Sequence, residues 1–198
     1  MDTDDPLNLY RVVTIGDSSV GKTSIINKLV NGSFDPHEQT TIGAMFVLHV
    51  EEVENSRIEM QIWDTAGQEK FRSLGPIYYR NSAAGIIVFD LTSNQSFDHL
   101  NSWYESFIGI AGTDVITALV GNKSDLTDSR VVSNELAKNW AEQKGCLYYE
   151  TSALTGDGLS DLFQGIALQL ANKKQEQETV MEITPIQKQN NTKSDCKC

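Results

Sequence analysis

Gly16-Asp17-Ser18-Ser19-Val20-Gly21-Lys22-Thr23 has the spacing G-x-x-x-x-G-K-[ST], a residue set suited to holding phosphate. Residues 10–15 ahead of it are aromatic and β-branched, as in a strand, and residues 23–30 behind it repeat apolar side chains at helical spacing, with Gly32 as a stop. A glycine loop between a strand and a helix N-terminus gathers unpaired backbone N–H groups and the positive end of the helix dipole at one point. In such a site Ser18, Ser19, Val20, Gly21, Lys22, Thr23 and Ser24 surround the phosphates. The Lys22 ammonium would bridge the β- and γ-phosphates, and the Thr23 hydroxyl would bind Mg²⁺. Outside that context, the same residues would read as a glycine turn with an exposed lysine.

Phosphate contacts alone do not distinguish bases. Residues 115–120 form a nearly continuous apolar run, as in a strand buried on both faces, and Gly121-Asn122-Lys123-Ser124-Asp125 follows at once. An Asp at a strand's carboxyl end can accept hydrogen bonds from guanine N1 and N2, an edge on which adenine offers no such donor pair. The stem of Lys123 can lie over the purine, and Thr151-Ser152-Ala153 supplies a second base-facing stretch. Taken alone, Asn-Lys-Ser-Asp is an ordinary polar turn; paired with the phosphate loop it favours guanine. Asp64 closes the apolar run 60–64 and suits Mg²⁺ binding through water. Gly67 can offer its N–H to a γ-phosphate, and Gln68 can hold an attacking water in line. Thr41, in the polar loop 35–41, could complete the metal shell when the γ-phosphate is present. Two loops held by one phosphate relax when it leaves.

With these motifs the chain resembles the Ras-like small GTPases and, within them, the Rab proteins. The general motifs run from about residue 10 to residue 154. The Rab-like wording lies in Ile42-Gly43-Ala44-Met45-Phe46, Glu59-Met60-Gln61-Ile62-Trp63, Lys70-Phe71-Arg72-Ser73-Leu74, Tyr78-Tyr79-Arg80-Asn81-Ser82 and Ile87-Val88-Phe89-Asp90-Leu91-Thr92. The resemblance implies a slow GTP hydrolase with Gln68 and Lys22 as catalytic groups, GTP/GDP and Mg²⁺ as cofactors, and Thr23, Thr41 and Asp64 around the metal. It implies Phe34 edge-on to the base, Ala153 N–H on guanine O6, and Phe46, Trp63 and Tyr78 as an aromatic triad that effectors contact. Ser19 replaces a glycine common among Rabs, a change expected to alter the loop backbone and slow hydrolysis. Leu154 stands where a lysine usually follows Ser-Ala, so packing there is apolar. Asn81-Ser82 replaces Gly-Ala. The implied partners are an exchange factor, a GTPase-activating protein, a GDP-dissociation inhibitor or escort protein, and effectors in vesicle transport. The segments around Phe46 and 73–80 look closest to the endocytic branch.

The elements that position these residues are legible by pattern. Strands are expected at 10–15, 60–64, 85–90, 115–120 and 147–151, and helices around 97–108 and 135–144. A last helix carries Leu159, Leu162, Phe163, Ile166 and Leu170 on one face. Alternating strands and helices predict an α/β fold, a mostly parallel central sheet flanked by helices; the resemblance implies the small G-protein form of the P-loop NTPase fold. The 198 residues divide into a flexible start (1–8), a GTP-binding domain (9–171) and a flexible tail (172–198) rich in Lys, Gln, Glu and Asn.

Net charge −11 argues against a large nucleic-acid footprint. His37, His49 and His99 are scattered rather than clustered as in a zinc site, and three cysteines without a paired framework fit a reducing compartment. No signal peptide or membrane-spanning run is expected. The tail ends Asp195-Cys196-Lys197-Cys198. By themselves these are two thiols; beside the GTPase motifs, the resemblance implies geranylgeranylation of both. One short chain anchors only marginally, and the tail lacks a strong basic cluster. The implied location is the cytoplasmic face of endomembranes, endosomal or other vesicular, with a cytosolic pool and a monomeric protein. Two other readings remain open at this stage: a GTP-dependent scaffold without hydrolysis, motivated by Ser19, and an ATPase or small-molecule kinase.

Overall fold

Every residue of strand β4 (Ala84–Asp90) is buried, so layers must cover both of its faces. The computed structural model, which describes residues 9–54, 56–67 and 75–183, supplies them. Its sheet also contains β1 (Leu9–Ile15), β2 (Ala44–Val53), β3 (Ser56–Thr65), β5 (Ile116–Asn122) and β6 (Leu147–Thr151). The strand order is β2-β3-β1-β4-β5-β6, parallel throughout except for the antiparallel β2–β3 pair.

Helices α1 (Lys22–Asn31) and α6 (Leu159–Ile183) lie on one face. There Ile25, Phe163 and Ile166 pack with Val12, Ile62, Ile86 and Val88. The other α-helices among the described residues are α2 (Gly75–Tyr79), α3 (Asn94–Asp98), α4 (Leu100–Ala111) and α5 (Asn134–Lys144). Leu100, Trp103, Phe107 and Ala137 form the second core with Val13, Ile15, Ile87 and Phe89. Successive β4 residues therefore feed opposite cores, as a strand's two-residue period requires. The carboxyl ends of β1, β4, β5 and β6 lie side by side, with Asp90 opposite Asn122 and Asn122 opposite Thr151. Ligands of open α/β sheets bind at that edge.

Some elements depart from the pattern reading. The helix expected over 97–108 is two helices broken at His99; its polar first turn begins under a Ser93 cap that accepts from the Ser96 N–H. Strand β2 and the short α2 were not predicted as elements. Helix α6 continues to Ile183, over residues whose composition reads as a flexible tether. Lys, Gln and Glu are good helix formers, and they extend a helix already nucleated by its apolar face. Lys173 is held to Asp114, with Nζ 2.7 Å from Oδ2. Among the described residues no helix is long and apolar enough to cross a membrane. Residues 1–8, Gln68, the 70–74 segment, Cys196 and Cys198 lie outside the described residues.

Candidate nucleotide site

The chain leaves β1 through Gly16 (φ +143°) and enters α1 through Gly21 (φ +98°). A Cβ on Gly21 would come within 2.2 Å of the Asn122 amide nitrogen, so the position admits only glycine. Helix α1 starts without a side-chain cap or an acidic residue in its first turn, whereas α5 is capped by the Ser133 hydroxyl and carries Glu135. The first N–H groups of α1 are thus left for another acceptor. Ser19 sits in the left-handed region at φ +64°, so the loop keeps a backbone shape normally given to glycine.

Lys22 is 5% exposed, and its ammonium donates to the carbonyls of Gly16 (3.0 Å) and Asp17 (2.8 Å). Burial lowers its pKa to about 8, against the opposing pull of Asp64 and Asp17. Three oxygen-bearing side chains from separate segments converge next to it. Thr23 Oγ1 donates to Asp64 Oδ2 at 2.7 Å, the Thr23 and Thr41 hydroxyls are 2.8 Å apart, and Thr41 Oγ1 reaches Asp64 Oδ2 at 3.3 Å. Burial raises the Asp64 pKa, while the Thr23 hydrogen bond and the Lys22 charge oppose it. Hydroxyl and carboxylate oxygens are the hard donor set that suits Mg²⁺, so the residues present fit that ion.

Opposite them, Asn122 is 1% exposed and joins three segments. Its amide donates to Val20 O at 2.9 Å, and its carbonyl accepts from Thr151 Oγ1 (3.1 Å) and the Ala153 N–H (3.3 Å). Lys123, at φ +67°, pairs with Asp90 at 2.6 Å, while Asp125 accepts from Ser152 Oγ at 2.5 Å. Ser152 Oγ in turn accepts from the Thr155 N–H. These bonds aim one polar edge into a cleft of about 450 Å³, within the range of small-molecule sites.

Ser18, Ser19, Gly21, Lys22, Thr23, Ser24, Phe34, Thr41, Gly67, Asn122, Lys123, Asp125, Ala153 and Leu154 all line that cleft. Val20, Asp64 and Ser152 stand behind the wall: Val20 packs in the core, Asp64 holds Thr23, and Ser152 holds Asp125. The sequence reading missed Leu126, which adds an apolar contact beside Leu154, and Thr65, whose hydroxyl donates to Thr14 O at 2.7 Å. Leu126 follows Asp125 directly, but nothing in its type marks a ligand contact.

On β2, β3 and α2, Phe46 and Trp63 pack at a tilt with ring centroids 5.2 Å apart, Trp63 and Tyr78 likewise at 5.8 Å, and the Arg11 guanidinium lies 4.9 Å above Trp63. Phe46 remains half exposed.

A glycine loop feeding a helix N-terminus, and two polar loops beside it at the carboxyl edge of a mostly parallel sheet, define a P-loop nucleotide-binding fold. Residues 11–172 match the family model described as Ras family, and the chain belongs to that family. It is 39% identical over 180 residues to the Ras-related protein Rab5 of Nicotiana tabacum, covering 89% of this chain and 90% of that protein. It is 40% identical to Ras-related proteins Rab-2B and Rab-4 of Dictyostelium discoideum, covering 84% and 80% of this chain and 82% and 77% of theirs. The chain is therefore a Rab-like small GTPase that binds GTP and GDP with Mg²⁺, hydrolyses GTP and serves membrane trafficking.

Proposed function

We propose that the cleft makes a latch on protein recognition, in which the γ-phosphate is sensed beside the aromatic cluster. The observation that carries this reading is the meeting of Thr23, Thr41 and Asp64 hydroxyl and carboxylate groups one residue from Trp63. In the β2–β3 register Met45 faces Asp64 and Phe46 faces Trp63, so the sensing rung and the aromatic rung are neighbours. Movement of Thr41 is transmitted to Phe46 along only a few residues.

The backbone N–H groups of residues 18–24 hold the α- and β-phosphates, and Lys22 supplies positive charge across the β- and γ-phosphates. Thr23 and Thr41 would hold Mg²⁺ directly and Asp64 through water; the ion supplies neutralisation of phosphate charge. A Cβ on Gly67 would fall 2.4 Å from Asp17 O and 2.5 Å from Lys22 Nζ, so its bare backbone can approach the terminal phosphate. Gln68 follows directly and orients the attacking water. Asp125, fixed by Ser152, reads the guanine N1–N2 edge; Ala153 N–H faces O6; Lys123, Phe34 and Leu154 flank the ring.

Phe46, Trp63 and Tyr78 form the effector face. Exchange factors, activating proteins and a GDP-dissociation inhibitor or escort protein set the cycle. Prenyl groups on Cys196 and Cys198 anchor it to the cytoplasmic face of endomembranes, with endosomes favoured by the resemblance of residues 42–46 and 73–80 to the endocytic branch. Single-turnover GTP hydrolysis tests the switch: Gln68→Leu should slow the activated rate by about 100-fold or more, the scale of a lost water-positioning group. Equal, slow hydrolysis in both proteins with an activating protein present would favour a scaffold without turnover. Imaging beside a Cys196→Ser/Cys198→Ser variant tests the anchor and identifies the compartment.

A further inference from the structure

Asp17 lies in the phosphate loop, but its side chain points away from the cleft toward α4. One carboxylate oxygen, Oδ2, meets His99 Nδ1 at 2.7 Å; the other, Oδ1, accepts the Trp103 indole N–H at 2.7 Å. An ionised carboxylate can only accept, so the His99 Nδ1 carries a proton in this pair. His99 and Trp103 are four residues apart, one helical turn, and therefore share a face. Trp103 is 4% exposed, while His99 stays at the surface, where the break between α3 and α4 presents it.

The main chain of Asp17 faces the other way. Its carbonyl accepts from the Lys22 ammonium at 2.8 Å and lies against Gly67. A second cleft, about 560 Å³, runs between the phosphate loop and α3–α4, lined by Asp17, Ser18, Gly67, His99 and Trp103. The Asp17 bonds thus bridge an opening beside the loop.

We propose that His99 and Trp103 are positioning residues for the phosphate loop, clamping Asp17 to α4 and so prolonging nucleotide residence. Nucleotide departure requires the loop over 17–21 to splay. A carboxylate held at both oxygens restrains its first residue, and through the Asp17 carbonyl it also restrains Lys22. The inference rests on residues 16–23 being the phosphate cradle.

The test is the release rate of a fluorescent GDP from the full chain in Mg²⁺. His99→Leu keeps bulk but loses the N–H, and should speed release by about three- to tenfold, the scale of one net hydrogen bond. His99→Asn places an amide donor near the Nδ1 position and should restore slow release. Asp17→Ala/His99→Leu should release no faster than Asp17→Ala alone, because both remove the same clamp. Trp103→Phe, which keeps the ring but removes the donor, should act like His99→Leu. Wild-type release from His99→Leu, equal acceleration by Leu and Asn at 99, or additive effects in the double variant would each overturn the clamp. Should Lys22→Ala retain GDP as tightly as the unaltered chain, the cradle assignment itself fails, a result separate from any change at His99.

Discussion

Around Asn122 the cleft wall is buried and cross-linked to the loops after β1 and β6, whereas residues 31–40 on the opposite wall are exposed throughout. The exposed wall is held by local bonds, such as Asn27 to Glu38 at 2.7 Å and the His37 N–H to Asp35 at 2.8 Å, and by Thr41 at its end. The difference teaches where energy is placed in a switch. Base reading needs donors and acceptors that do not move, because discrimination depends on leaving a buried group unpaired when the wrong base enters. Phosphate sensing needs a segment that gains its order from the ligand, so few contacts hold it otherwise.

Removing the proposed base reader should break the braced half most severely. Asp125→Asn should weaken GDP binding by roughly 10³- to 10⁴-fold and shift preference to xanthine nucleotides, measured by competition against labelled GDP. Retained guanine preference would mean that the braced wall is structural only.

A neighbouring cluster on β6, one strand from Asn122, has a pH signature. Burial opposes ionisation of Glu150, yet hydrogen bonds from Arg130, Tyr148 and Asn134 outweigh it and hold its pKa at about 2, below the ordinary 4.5. The unfolded chain then binds the proton more readily, so this stabilisation is complete above pH 4.5 and disappears as pH falls toward 2. Discounted for solvent screening, it amounts to about 1–2 kcal/mol. Urea unfolding should show Glu150→Gln less stable than the unaltered chain at pH 7, with the gap closing in acid; a pH-independent gap would contradict the ionic origin.

The loose half should respond differently. Thr41→Ala should lower GTP affinity by about tenfold while leaving GDP affinity within about twofold, with no shift in melting temperature. Equal losses for both nucleotides would erase the contrast between the walls. The smallest effect is expected at Ser19. Because its backbone already adopts the left-handed turn, Ser19→Gly should stabilise by no more than about 1 kcal/mol and change single-turnover hydrolysis less than about twofold. A large acceleration would show that the Ser19 side chain impedes hydrolysis.

Legibility followed the range of the interaction. The 16–23, 122–125 and 151–153 stretches were readable because neighbours in sequence form each subsite, and the apolar runs of β4 and β5 were readable because burial on both faces demands them. Strand β2 was harder, since on an edge its exposed face tolerates apolar residues such as Leu48 and Val50. The end of α6 was not legible because composition alone does not separate an exposed helix from a polar tether; Lys173 meeting Asp114 is a tertiary event.

By itself the sequence determined the glycine loop and the two polar stretches that line the cleft, and the mostly parallel sheet, because residue type and short spacing suffice for each. Only the tertiary structure decided which polar groups brace one another. The Asn122 amide reaching Val20, the Lys123 ammonium reaching Asp90, and the Asp17 carboxylate reaching His99 and Trp103 join segments far apart in the chain. No periodicity encodes such pairs. They exist because parallel strands bring their carboxyl ends to one edge, where loops from distant segments must satisfy each other's hydrogen bonds.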